Sequence, residues 1–200
     1  QVQLFERDSW QAHNIFTSPA EVWSATFAHD GDRNMILSCG DEGALKFWDV
    51  RSTNRPMQVI KNQFEAGVTC ASHHPRHEHL VACGSYDETV ALFDVRFMSQ
   101  KPLCHSAKLG GGIWRIKWHP VSDDRLLVGA MHGGCRVLRI QGWNDIDDND
   151  GGGGGGEVDG GGVVGAAAKQ AAGGVTVEES SPHISMKVTK KFTEHESMAY

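Results

Sequence analysis

An all-β fold is what this sequence of 200 residues predicts, on three observations. The chain repeats itself: "VWSATFAHDGDRNMILSCGDEGALKFWDVR" from Val22, "VTCASHHPRHEHLVACGSYDETVALFDVR" from Val68 and "IWRIKWHPVSDDRLLVGAMHGGCRVLRI" from Ile113 align by eye, their starts 46 and 45 residues apart. Each unit holds short β-prone runs, "MILSCG", "LVACGS" and "LLVGAM" among them, bounded by the turn-forming "GDEG", "SYDE" and "MHGG". No stretch of helical period outlasts about two turns before a turn signal interrupts it. A period of this length, with three apolar strands and a more variable fourth, is that of a WD40-type β-propeller blade.

Taken in order, "LFERDSWQAHN" resembles an outer strand and the loop that follows it. Three full blades come next, and Trp48-Asp49-Val50-Arg51 recurs as Phe93-Asp94-Val95-Arg96 where two of them end. The closing "ISMKVTKKFTEHESMAY" resembles a further pair of strands, with an outer strand beginning near Ile184. The expected division is blades over 1–143, a Gly-rich acidic insertion over 144–182, and the start of a further blade over 183–200. Three blades with partial flanks do not close a ring, which needs at least about four. An incomplete propeller, an internal piece of a longer one, is therefore expected.

Composition separates the insertion from the rest. It holds 12 of the 24 glycines and no aromatic residue, too little apolar surface to offset the entropy of ordering it, so disorder is expected there. The net charge of −6 is also located there, since the insertion carries −7 and the remainder +1. A nearly neutral folded part lacks the basic field of a nucleic-acid binder. No apolar run approaches the roughly 20 residues of a membrane span, and no signal peptide is visible. Cys39, Cys70, Cys83, Cys104 and Cys135 form no CxxC pair and read as reduced core thiols, which suits a cytoplasmic protein.

In such a blade the loop into the innermost strand and the turn between the second and third strands open on one face. That places Glu21, Trp23, Asp41 and Glu42 of the first unit on a common rim. The second unit adds Tyr86, Asp87 and Glu88, and the third adds Trp114, Arg115 and His132. His13 and His195 are expected in loops that lead into innermost strands. In "GGGIWRIKWHP" the glycines 110–112 form such a loop, where backbone approaches closely, and Trp114 and Arg115 emerge beside it. Other conspicuous residues have structural readings. Asp87 and Glu42 fall where many repeats place an acid that bonds a loop histidine. His119-Pro120 repeats His74-Pro75 at the opposite turn, and Trp48, Phe93 and Trp118 are expected in the packing. Thr69, the counterpart of Trp23 and Trp114, shows that the repeat does not require tryptophan there.

Aromatic faces with acidic neighbours make a seat for a cation, where a quaternary ammonium gains roughly 0.5–2 kcal/mol per contact. Trp23, Trp114, Tyr86, Glu21 and Asp87 are the candidate substrate-binding residues. Arg115, always charged, suits a carboxylate or a developing oxyanion. His132 with a carboxylate such as Asp41 is the candidate pair for delivering water. No GxSxG elbow and no zinc-like His/Cys spacing is present, so no metal or cofactor is called for. Ser85 and Ser197 remain as alternative nucleophiles.

"SYDETVALFDVRFMSQKPL", "GGGIWRIKWHP" and "MHGG", with "SWQAH", "EVW", "GDEGALKFWDVR" and the terminal "HESMAY", resemble the WD-repeat diphthine methyl ester hydrolase family of the diphthamide pathway. The likeness covers everything but the insertion. It implies an esterase that removes a methyl ester from over-methylated diphthine on translation elongation factor 2, a substrate carrying both a trimethylammonium and a carboxyl ester. The sequence departs from many relatives in its insertion and in Phe93, where the repeat usually has tryptophan. The competing expectation is a non-catalytic WD scaffold or substrate adaptor using the same rim, because fold alone does not set function.

Overall fold

A computed structural model of the chain describes residues 2–5, 12–16, 20–27, 34–52, 55–96, 101–143 and 184–193. Strands β1 (Val2–Phe5) and β2 (Ala12–Phe16) pair as an antiparallel two-stranded sheet. Sheet 1 follows, made of β3 (Val22–Phe27), β4 (Met35–Gly40), β5 (Leu45–Asp49) and β6 (Gln58–Ile60). Sheet 2 contains β7 (Val68–His73), β8 (Leu80–Ser85), β9 (Val90–Asp94) and β10 (Cys104–His105). Sheet 3 contains β11 (Ile113–Trp118), β12 (Arg125–Ala130), β13 (Gly134–Gln141) and β14 (Ser185–Phe192). Each is an antiparallel meander of four strands, so the three sequence repeats are three blades of an incomplete β-propeller. His13 lies within β2, opposite Leu4, and not in a loop as the repeat geometry suggested. Antiparallel pairing with β1, from Val2↔Phe16 to Phe5↔Ala12, is what holds this segment as a strand.

Alternation along the strands decides how the blades stack. In sheet 2, Val81, Cys83, Ala91 and Phe93 pack with Leu37, Leu45 and Phe47 of sheet 1. The intervening Leu80, Ala82, Val90 and Leu92 pack with Ile116, Leu126, Val128 and Leu138 of sheet 3. Every residue of β8 and β9 is therefore buried, and their sequences are continuous apolar runs because both faces are covered. Burying one such Val, Leu or Phe contributes about 1.5–3 kcal/mol. The strand β14 pairs along β13 from Gln141↔Ser185 to Cys135↔Phe192 and completes sheet 3. The chain thus returns to the sheet it left before the Gly-rich segment. The segment expected to begin a further blade thus supplies the outer strand of the third; residues 144–183 and 194–200, with the insertion, His195 and Ser197, lie outside the described residues.

The Asp-Val-Arg punctuation is the same local structure twice. Asp49 accepts from the backbone and guanidinium of Arg51, with Nη2 to Oδ2 at 2.7 Å, and Asp94 does the same with Arg96 at 2.8 Å. Those bonds hold the Asp49 carboxyl down to about 2. Trp48 is buried and donates its indole N–H to Ser38 Oγ at 2.8 Å, which fixes it inside the blade. Four of the five cysteines are buried, and burial pushes the Cys39 and Cys104 thiols up to about 12.

Candidate functional site

Each innermost strand carries a β-bulge at its second residue. The register slips between Val22 and Ser24, between Val68 and Cys70, and between Ile113 and Arg115. The extra residues are Trp23, Thr69 and Trp114, at equivalent positions in adjacent blades. A bulge breaks the strict alternation of a strand and re-aims side chains. Consecutive residues that would otherwise point to opposite faces then reach one space. Val22 with Trp23, and Trp114 with Arg115, line the same cleft of about 450 Å³, together with Thr69 and Tyr86. The volume lies in the range of small-molecule sites.

The rim above it is built by one hydrogen bond repeated in three blades. Asp41 N donates to Glu21 O at 3.1 Å, Tyr86 N to Gly67 O at 2.9 Å and Met131 N to Gly112 O at 2.9 Å. Each bond ties the turn after a second strand to the residue that precedes an innermost strand. Gly67 is then required by close approach, since a Cβ there would sit 2.4 Å from the Trp23 ring. Gly110 has φ +87°, a conformation that suits glycine, and a Cβ on Gly111 would lie 2.9 Å from His132 N. The glycine run of the third blade thus lets the loop lie flat on the Met131–Gly133 turn.

Within the cleft Trp23, Tyr86 and Trp114 are 41%, 53% and 38% exposed, a high value for aromatic side chains that share a concavity. The Trp23 indole N–H donates to Glu21 Oε2 at 3.2 Å, which orients the ring. Thr69 is buried beneath them, its hydroxyl donating to Ile113 O of the next sheet, with Gly84 O also at 3.0 Å. Among the described residues no carboxylate pairs with Arg115, which is exposed at the sheet 3 side.

The remaining candidates are placed differently. Asp87 is committed to its own turn: Oδ1 accepts from Thr89 N at 2.9 Å and from Thr89 Oγ1 at 2.6 Å, and Oδ2 accepts from Glu65 N at 2.9 Å. Its partners are backbone and threonine, where the repeat pattern suggested a histidine. Glu42 is salt-bridged to Lys46 at 2.5 Å. Asp41 is exposed on the sheet 1 turn and His132 on the sheet 3 turn, with sheet 2 between them, so Asp41 does not orient His132. Ser85 is fully buried, donates to Gly67 O at 3.1 Å and accepts from Asp87 N at 3.1 Å, which removes it as a nucleophile.

A second polar cluster lies where the innermost strands finish, at the other end of the blades. His74 Nδ1 accepts from Arg76 N at 3.1 Å and His77 N at 2.9 Å, while Nε2 faces Asp123 O at 3.2 Å in the next blade. Trp118 and Trp143 pack on the ring at 4.4 and 5.3 Å between centroids. His74, His77 and Asp123 offer ligand atoms all within 4.8 Å, a spacing that a cation could use. The hydrogen bonds oppose it. A lone pair at Nδ1 that takes two N–H donors leaves the ring proton on Nε2, the atom that would have to bind the ion. The Asp123 carboxylate is already paired with Arg76. His119 Nδ1 repeats the turn with Val121 N and Ser122 N at 3.1 and 2.8 Å, so the His-Pro pair is a fold device. Trp118 belongs to the packing and donates to Ser72 O at 3.0 Å.

The sequence matches the "WD domain, G-beta repeat" family over residues 7–49 and 54–94. It is 39% identical to a protein named diphthine methyltransferase from Homo sapiens, over 66% of this chain and 27% of the human one. It is 34% identical to the diphthine methyltransferase homolog of Dictyostelium discoideum, over 68% of this chain and 38% of that one. The Schizosaccharomyces pombe diphthine methyltransferase is 31% identical over 72% of this chain and 42% of its own length. This is a diphthine methyltransferase-like WD protein. The chain spans from about a quarter to two fifths of the length of these relatives. Among the described residues no helix is long and apolar enough to cross a membrane.

What the sequence reading missed here is the bulge itself and the wiring of His74 to Asp123. A visible trace of the first was the mismatch between strict alternation and "EVWSATF" or "IWRIKW", whose polar and aromatic neighbours do not fit one face.

Proposed function

We propose that the protein hydrolyses the methyl ester of diphthine on translation elongation factor 2, in the cytoplasm. The observation that carries this reading is the convergence of Trp23, Tyr86, Trp114 and Arg115 on one cleft. Aromatic faces hold the trimethylammonium of the substrate through cation–π attraction. The ester carbonyl lies toward Arg115, whose guanidinium stabilises the oxyanion that forms when water adds to the carbonyl carbon. His132, on the exposed turn packed against the Gly111 loop, takes the proton of that water. As the tetrahedral intermediate collapses, the C–O bond to the methoxy group breaks and His132 returns the proton to release methanol. The new carboxylic acid loses its own proton to solvent. Glu21 holds Trp23 in place, and Asp41 adds negative charge on the sheet 1 side of the rim.

The test is methanol release from elongation factor 2 bearing methylated diphthine, by the full-length protein. Methanol in proportion to substrate is the expected result. Stoichiometric binding without methanol would overturn the reading in favour of a scaffold on the same rim.

A further inference from the structure

The cleft contains two features that pull in opposite directions for a simple cation. Three aromatic side chains favour a quaternary ammonium, and a guanidinium without a carboxylate partner among the described residues opposes one. The charges are also arranged in space. Glu21 and Asp41 are exposed on the sheet 1 side, and Glu21 touches the indole N–H of Trp23. A carboxylate accepting that N–H makes the ring face more negative and strengthens its attraction for a cation. Arg115 stands on the sheet 3 side, next to Trp114, brought into the same space by the bulge.

Resting on the cation seat of the proposed function, we infer that this cleft is polarised and takes trimethylammonium carboxylates in one direction. The ammonium end lies toward Trp23 and Glu21, and the carboxylate end toward Arg115. Only a ligand with both charges satisfies both sides. A neutral ester offers Arg115 a weak acceptor, whereas a carboxylate offers a charge-assisted pair, roughly twice as strong. The demethylated product therefore binds more tightly than the ester, and free zwitterions of this class compete for the site.

Calorimetric titration of the full-length protein with glycine betaine and with choline tests this. Betaine is expected to bind at least about tenfold more tightly than choline, a difference carried by one charge-assisted pair. Arg115→Gln, at an exposed position, should remove that preference by weakening betaine and leaving choline unchanged or tighter. Glu21→Gln keeps an acceptor for the indole N–H and should weaken both ligands alike, by about threefold. Equal affinity for choline and betaine in the unaltered protein would overturn the polarised cleft and leave the demethylation reading standing. No binding of either ligand would overturn the cation seat itself.

Discussion

Both ends of the blade stack carry aromatic and polar side chains, and they use them in different ways. At the end where the innermost strands finish, His74, Asp123, Arg76, Trp118 and Trp143 spend their hydrogen-bonding and packing capacity on one another across sheets 2 and 3. At the end where those strands begin, Trp23, Tyr86 and Trp114 share a cleft with Arg115, and among the described residues no carboxylate neutralises the guanidinium. The first end is closed by its own contacts, whereas the second leaves aromatic faces and a guanidinium lining a concavity of ligand size.

The largest expected effect breaks the committed end. His74→Ala removes an acceptor for two backbone N–H groups and leaves a gap beside two tryptophans, so it should cost about 2–4 kcal/mol in urea unfolding. Methanol release by the folded fraction should be unchanged.

Acid should act through the same ring. Burial holds the His74 pKa down to about 4 against its ordinary 6.5, so the unfolded chain takes the proton first as pH falls. This contribution to stability is full well above pH 6.5, is lost as pH falls from about 6.5 through about 4, on the order of 2–3 kcal/mol in all, and levels off below that window. Urea midpoints across this window should show the slope in the unaltered protein and a shallower one in His74→Gln.

Substitutions in the cleft should reverse the pattern. Trp114→Ala and Arg115→Ala are each expected to slow demethylation by about a hundredfold while moving unfolding by no more than ~1 kcal/mol. Loss of activity that tracks loss of folding would merge the two ends and remove the contrast. His132→Gln should slow the reaction and flatten the acid limb of its pH profile; an unchanged profile would assign the proton transfer elsewhere. The smallest effect belongs to Asp87→Asn, about 1 kcal/mol of stability from the Thr89 turn, with ligand affinity intact.

Much of this was legible in the chain because a propeller writes its period into its sequence. The starts at Val22, Val68 and Ile113 are the starts of β3, β7 and β11, and Trp23, Tyr86, Trp114 and Arg115 do share one cleft. Register was not legible. Whether Trp114 and Arg115 face together depends on one unpaired residue in a ladder, and cross-strand pairing is a relation between segments that a single sequence does not print. Long-range partners were hidden for the same reason: His74 and Asp123 become neighbours only when sheet 2 stacks on sheet 3. Asp87 had both a structural and a binding reading in the sequence, and the bonds of its carboxylate to Thr89 and to Glu65 N become visible only in the folded turn.

Burial of β8 and β9 on both faces sets a clock as well as a core. Their amides are shielded by the blades on either side, so solvent deuterium reaches them only when the stack itself comes apart. The exchange rate of Ala82 or Leu92 thus reports the global opening free energy of the assembled blades, whereas amides of β3, with a half-exposed strand, exchange through local fraying.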